Sequence, residues 1–148
     1  MRLIILLLTL LISINACAKD DIFSKYPVNN IYKGGFFELV YDENKMSLEY
    51  YNTTKKELSK GVGFSGKYVV VITALGNMKI RAGTVVNVNN GKAYDFPTIY
   101  AIDDTLEFDI KFKKDSSAIC ISGTDAYNGK IYKNKCYNFK EGKFIPIN

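Results

Sequence analysis

Short apolar runs alternate with polar turns along most of this chain, after one long apolar run at the N-terminus. One stretch has apolar side chains at every second position, namely Leu106, Phe108, Ile110 and Phe112. A period of two places such side chains on one face of a strand. The segment 67–75 is apolar almost throughout, which predicts a central strand buried on both faces. The pattern predicts an all-β domain: an antiparallel meander, a sandwich or an incomplete propeller-like sheet.

Two turn sequences predict hairpins. Segments 36–41 and 46–51 flank a polar turn at 42–45. Segments 84–88 and 92–96 flank Asn89-Asn90-Gly91, and Asn-Gly accepts the positive φ that tight hairpin turns need. The polar segment between the hairpins predicts one helical turn near 55–59. The remaining predicted strands are 98–102, 106–112, 118–122, 130–139 and 143–147.

The N-terminus has the layout of a secretory signal, with a positive start, an apolar run and a polar continuation. Arg2 supplies the charge, and residues 3–14 are apolar apart from Thr9 and Ser13. This run of about twelve residues is too short to span a bilayer. We therefore predict export by the Sec pathway to the periplasm or outer membrane of a bacterium.

Two cleavage patterns fit the end of this signal. Ile14-Asn15-Ala16-Cys17 resembles a bacterial lipobox, in which Cys17 carries lipid and becomes the first residue. Ala16-Cys17-Ala18 also satisfies the small-x-small rule of ordinary signal peptidase. The apolar run reaches almost to Cys17, which favours the lipoprotein and a membrane contact through its lipid. The predicted organisation is a signal over 1–16 (or 1–18), a tether over 17–34 and one β domain over 35–148.

Either cleavage leaves Cys120 and Cys136 as the only cysteine pair. The two are symmetric about Asn128, so an antiparallel hairpin over 118–139 would place them directly opposite each other. That register predicts a disulfide and a connecting loop with an odd number of residues, three or five. The absence of a CxxC motif and of histidine argues against a metal or redox pair.

The charge pattern argues against nucleic-acid binding. The formal net charge is +5, but basic and acidic residues are interleaved, as in Lys55-Lys56-Glu57. Proteins that bind nucleic acid cluster their basic residues on one element. We interpret these charges as solvated faces.

The residue types present exclude the common catalytic sets. The chain contains no histidine, which removes Ser-His and Cys-His pairs and the zinc sites that need imidazole. The remaining candidates are the carboxylates Asp103, Asp104, Glu107 and Asp109. Glu107 and Asp109 would share one strand face ~7 Å apart, a separation that glycosidases use. Their alternation with apolar residues favours a solvent-facing role, and Asp103-Asp104 lacks the ligand count of a calcium site. We predict no catalytic residue, metal or cofactor.

Tyrosine is abundant, with eleven residues in the chain. Seven tyrosines that cannot all be core are Tyr50, Tyr51, Tyr94, Tyr100, Tyr127, Tyr132 and Tyr137. Strand packing accounts for most single positions. Tyrosine also suits interfaces, because its ring buries area while its hydroxyl forms hydrogen bonds.

The segment Phe64-Ser65-Gly66-Lys67-Tyr68 resembles a motif of small exported bacterial proteins, Phe-Ala-Gly-His-Tyr, which enters a hydrophobic strand. The resemblance extends over 61–147 and includes the ending Tyr137-Asn138-Phe139 through Gly142-Lys143-Phe144. It implies an exported β domain and marks Phe64, Gly66, Lys67 and Tyr68 as candidate interaction residues. Lys67 stands where the group has His, and 74–77 replaces its Gly-Cys-Gly segment, so no role tied to that His or Cys carries over.

These observations predict a non-enzymatic envelope binding protein. The most specific hypothesis is a periplasmic inhibitor or immunity protein whose partner is a toxin or hydrolase. The alternative is a structural or cell-wall-binding lipoprotein. A carboxylate-dependent hydrolase is the third class.

Overall fold

A computed structural model describes residues 21–76, 79–104 and 106–148. Within these residues, eight strands form one open antiparallel sheet, which confirms the all-β prediction. The order is β1-β2-β4-β6-β7-β8, with β3 paired to β2 and β5 paired to β6. The strands are β1 Tyr68–Leu75, β2 Ile80–Asn87, β3 Ala93–Asp95, β4 Tyr100–Ala101, β5 Asp109–Phe112, β6 Ala118–Asp125, β7 Ile131–Lys140 and β8 Lys143–Pro146. No helix among these residues is long and apolar enough to cross a membrane.

The sheet curves around an aromatic core. Side chains from β1 and β2 meet those from β6 and β7, although these strand pairs are separated by β4 in the order. The ring centroids of Tyr68 on β1 and Phe139 on β7 are 5.0 Å apart in an edge-to-face arrangement, a favourable geometry for aromatic pairs. Phe64 lies fully buried beside both rings. Aromatic side chains therefore make up most of this core.

Strand β1 is buried on both faces, as predicted, but its predicted central position is wrong, because β1 lies at one end of the strand order. Val70 faces the aromatic core, whereas Val69 and Val71 face a second cluster on the outer surface of the sheet. Helix α1 (Leu48–Ser59) packs over that second cluster through Tyr50 and Leu58. A covering helix accounts for the continuous apolar run in an edge strand.

The predicted hairpin over 36–51 is wrong, because 48–59 forms helix α1. The Ser47 side chain accepts a hydrogen bond from the Tyr50 amide at 3.1 Å and caps the helix. Gly61, with φ +86°, follows the helix end in the conformation that glycine supplies at this position. Tyr50, Thr54 and Leu58 share one helix face, a spacing of four that overrides the strand preference of the tyrosines.

The predicted tether over 17–34 is also wrong where the structure describes it, because residues 21–34 are docked on the sheet. Asp21 forms an ion pair with Lys113. The Ser116 hydroxyl bonds the Phe23 carbonyl at 2.8 Å and the Tyr26 carbonyl at 3.0 Å. A short 3-10 helix, Ile22–Lys25, lies in this stretch. The domain therefore begins at or before residue 21.

The Asn-Gly hairpin is confirmed, since β2 and β3 pair with Val86 opposite Ala93. The predicted strand over 106–112 is shorter and begins at Asp109, yet its inward face is correct: Phe108, Ile110 and Phe112 pack against the aromatic core. Both β4 and β5 pair with β6, so the topology departs from a simple meander.

Candidate functional site

The motif Phe64–Tyr68 forms a turn in the interior of the protein. The amides of Phe64 and Tyr68 each donate to the other residue's carbonyl at 2.9 Å. Phe64 is fully buried, Tyr68 is nearly so, and Gly66 is buried between them. The interaction role suggested for Phe64, Gly66 and Tyr68 is therefore wrong, because a partner cannot reach buried side chains. Only Lys67 is exposed, with its Nζ 5.8 Å from the Tyr68 ring centroid.

Gly66 joins this turn to the docked N-terminal segment. Its φ of +75° lies in the left-handed region that favours glycine. Its amide donates to the Lys114 carbonyl at 2.7 Å, and its carbonyl accepts from the Tyr32 amide at 2.7 Å. A Cβ at this position would overlap the Asn30 carbonyl oxygen and lie 2.7 Å from Val28 Cγ1. The motif is therefore an architectural element that holds three segments together.

The Cys120–Cys136 disulfide is present, with the two residues directly opposite on β6 and β7 and their Cα atoms 4.0 Å apart. The predicted odd loop is wrong, because the last pair before the turn, Thr124 opposite Ile131, encloses six residues, 125–130. The register shifts by one between Cys120 and this loop, through a β-bulge at Asn134. Asn134 has φ +50°, and its amide donates to the Ser122 hydroxyl at 2.9 Å. The sequence symmetry about Asn128 did not reveal this bulge.

Beyond the bulge, the hairpin ends in a loop held by its own hydrogen bonds. The Asp125 carboxylate accepts from the amides of Tyr127 at 2.8 Å and Asn128 at 3.2 Å. The Gly129 amide donates to the Asp125 carbonyl, and the Asn128 side chain accepts from the Lys130 amide. Because side chain and backbone both close the turn, the loop is preorganised.

Tyr127 stands at the tip of this loop with 79% of its surface exposed. Tyr100 and Tyr137 are buried in the core, and Tyr50, Tyr51, Tyr94 and Tyr132 are half-buried. Tyr127 is therefore the exposed residue among the seven tyrosines considered from the sequence. Beside it lies a pocket of about 340 Å³ whose lining includes Phe96, Pro97 and Ile99. Because the Ala126 amide donates to the Ile99 carbonyl at 3.0 Å, the loop and this pocket are fixed to each other.

The hydrogen bonds of the loop lower the pKa of the Asp125 carboxyl. Burial raises its pKa, but three hydrogen bonds to the carboxylate act in the opposite direction, from the Tyr127 amide, the Thr98 hydroxyl and the Asn128 amide. The Lys130 charge also lowers it, and the net pKa lies below the ordinary value. The charged carboxylate is therefore the form that stabilises the loop.

Low pH should weaken the stabilisation that the charged Asp125 carboxylate gives to the folded protein. A folded-state pKa below the unfolded value means that the stability gained is complete above the unfolded pKa of ~3.9 and is lost as the pH falls through the folded pKa. Asp125→Asn should therefore be less stable than the wild type at neutral pH, and the gap should narrow near pH ~3. Urea unfolding of both proteins at the two pH values, at one ionic strength, measures it. A gap that stays constant would contradict the role of the carboxylate.

The four carboxylates considered for catalysis divide into two groups. Asp103, Asp104 and Glu107 line one pocket of about 400 Å³ together with Arg81. Asp109 is not part of that lining and lies 3.5 Å from the Lys111 ammonium. Glu107 and Asp109 are both exposed. Among the described residues, no cluster of three or more potential ligands could hold a metal ion.

Cys17, the predicted lipid site, lies outside the described residues. Comparisons with protein-family models, with characterised proteins and with solved structures found no match to this chain.

Proposed function

We propose that this chain is an exported, non-catalytic binding protein of the bacterial envelope, and that it inhibits a protein partner, a toxin or a hydrolase. The loop 125–130 is the element that meets this partner. Under this proposal the leader directs export, and lipid on Cys17 holds the domain at a membrane in the periplasm.

The observation that carries the proposal is the exposure of Tyr127 on a rigid loop. An exposed tyrosine costs little conformational entropy when it enters a partner's pocket, because its side chain has two torsions. A loop already closed by Asp125 loses little freedom on binding. Rigid loops with a central aromatic side chain have the character of interface hot spots. The disulfide joins the same two strands on the other side of the bulge, two residues beyond Asn134.

Replacing Tyr127 by alanine tests this directly. We expect partner affinity to fall by ~30-fold or more, the loss typical of a central aromatic hot spot of ~2 kcal/mol. Because the side chain is exposed, the free energy of unfolding should change little. The assay captures defined secreted toxins and hydrolases on the purified domain and measures rescue of cells that export each toxin.

Ile145→Ala is the matched control. Ile145 is another exposed apolar residue, but it pairs with Asn138, seven residues along β7 from Ile131, which is ~23 Å along the strand. It should retain capture and rescue. Equal losses in both variants would contradict a role of the loop.

The same preparation separates the alternatives. Pelleting with purified peptidoglycan, without capture or protection, would favour the cell-wall-binding lipoprotein. Hydrolysis that disappears in Glu107→Gln or Asp109→Asn would favour the enzyme. The location of lipid is tested by mass spectrometry of the protein from membranes, which detects diacylglycerol on Cys17.

A further inference from the structure

A cleft of about 610 Å³ lies between helix α1, the segment 37–46 and the outer face of the β2–β3 hairpin. Its volume falls within the ~300–1,000 Å³ of small-molecule sites. The apolar part of the lining comprises Phe37, Leu39, Val40, Met46, Val86 and Ala93. Val40 is 65% exposed, so an apolar wall continues to the rim. Such a surface suits the apolar body of a small ligand.

Thr54 contributes a polar group to this cleft. Only 1% of its surface is exposed, and its hydroxyl has no hydrogen-bond partner among the described residues. A threonine within a helix can satisfy its hydroxyl with the carbonyl four residues earlier, but Thr54 does not. A buried hydroxyl without a partner destabilises the free protein. Because Thr54 lines the cleft, a ligand group that reaches this oxygen would supply the missing partner.

Thr54 and Asp95 both affect the pKa of the Tyr50 phenol. Burial raises the pKa of the Tyr50 phenol, the neighbouring Thr54 hydroxyl lowers it, and the Asp95 carboxylate raises it. The Thr54 hydroxyl lowers the Tyr50 pKa as a hydrogen-bonding neighbour would, although the two oxygens do not reach the distance and angles of a formed hydrogen bond. All three residues line the cleft, which gives it one polar end.

The charges at this cleft favour a cation. Asp95 and Glu38 are acidic, and the Thr84 hydroxyl donates to Asp95 at 3.4 Å. Lys45 is the basic residue of the lining, and its ammonium pairs with Asp42 at 2.9 Å. A protonated amine supplies both the positive charge and the hydrogen-bond donors that the hydroxyl and carboxylate oxygens accept.

We infer that this cleft binds a small amphipathic primary amine, with its apolar body against the Phe37 and Met46 wall and its ammonium among Asp95, Thr54 and Tyr50. The site does not use Tyr127, so the inference goes beyond the protein-binding role proposed above. Asp95 also borders the pocket beside the 125–130 loop, and Thr54 is therefore the more specific position to alter.

Three probes with one tail and different head groups test the ligand class: n-octylamine, n-octanol and n-octanoate. Isothermal titration below their aggregation concentrations, at neutral pH, measures the affinities. The amine should bind about tenfold tighter than the carboxylate, with the alcohol between them, because an exposed carboxylate contributes modestly. Asp95→Asn should reduce this preference. Absence of saturable amine binding, or tighter binding of n-octanoate, would overturn the inference.

Thr54→Val tests the buried hydroxyl, because the change keeps the side-chain shape and removes the polar atom. Amine affinity should fall about tenfold or more, the effect of one hydrogen bond to a charged group. Thr54→Ser should restore it. Thr53→Val makes the same change on the neighbouring residue, which does not line the cleft, and should bind like the wild type.

Thermal unfolding without ligand separates binding from folding. Thr54→Val should melt no lower than the wild type, since it removes an unsatisfied buried hydroxyl. Weaker amine binding in a variant of undiminished stability would support the site. Unchanged amine binding in Thr54→Val would overturn it.

Discussion

Replacing Gly66 by alanine is expected to lower the free energy of unfolding by ~2–5 kcal/mol. The left-handed φ accounts for about 1–2 kcal/mol of this loss. The rest arises because the new Cβ meets the Asn30 carbonyl and Val28, so the docked N-terminal segment has to shift. The same movement would strain the two backbone hydrogen bonds of Gly66, in which its carbonyl accepts from the Tyr32 amide and its amide donates to the Lys114 carbonyl.

Gly61→Ala is the matched control, because Gly61 has a similar φ of +86° and no atom within 4 Å of the added Cβ. It should lose only the conformational part, ~1–2 kcal/mol. Urea unfolding followed by far-ultraviolet circular dichroism gives both values. Equal losses in the two variants would show that the docked segment does not constrain Gly66.

Removing the disulfide is expected to lower the free energy of unfolding by ~3 kcal/mol, the value for a closed loop of about fifteen residues. The cysteines are 16 positions apart, and the bond acts mainly by restricting the unfolded chain. The variant is Cys120→Ala with Cys136→Ala, in a background with Cys17→Ala. Urea unfolding with and without reductant provides the measurement.

Two controls accompany this experiment. The double variant should be insensitive to reductant, because no other bond remains to be reduced, whereas the parent should shift to the stability of the variant. A parent that is already insensitive would mean that the thiols are free in the purified protein. Alkylation before and after reduction, followed by mass spectrometry, counts those thiols.

The elements that sequence reasoning predicted are those whose signals are local. Asn90-Gly91 fixes a tight turn through its own φ preference, and the hairpin follows from it. The position of Cys120 opposite Cys136 follows from counting residues along one hairpin. The inward face of Ile110 and Phe112 follows from a period of two. Each of these depends on neighbours in the chain.

The elements that it missed depend on distant partners. Residues 48–51 include residue types that favour strands. Their helix is stabilised because Tyr50 and Leu58 pack against valines of β1 and β2, which lie further along the chain. Residues 21–34 resemble a linker until Lys113, Ser116 and Gly66 provide their partners. The bulge at Asn134 gave no local signal either, and its extra residue in β7 is the reason that an even loop still leaves Cys120 opposite Cys136.

The candidate sites show the same division. A count of tyrosines predicted a surface tyrosine, but only the structure distinguishes Tyr127 from the buried Tyr100. The motif around Gly66 was visible in the sequence, yet its role is structural. Thr54 carries no signal in the sequence, because an unsatisfied hydroxyl is a property of the packed helix.

If Cys17 carries a lipid, the docking of the N-terminal segment limits the distance between the membrane and the domain. Four residues from Cys17 to the Asp21–Lys113 pair can span at most ~14 Å, whereas release up to Val28 would allow ~38 Å. The attached domain would therefore stay close to the bilayer surface, because the short linker keeps it from moving far into the aqueous phase. A partner would have to come to the bilayer to be caught.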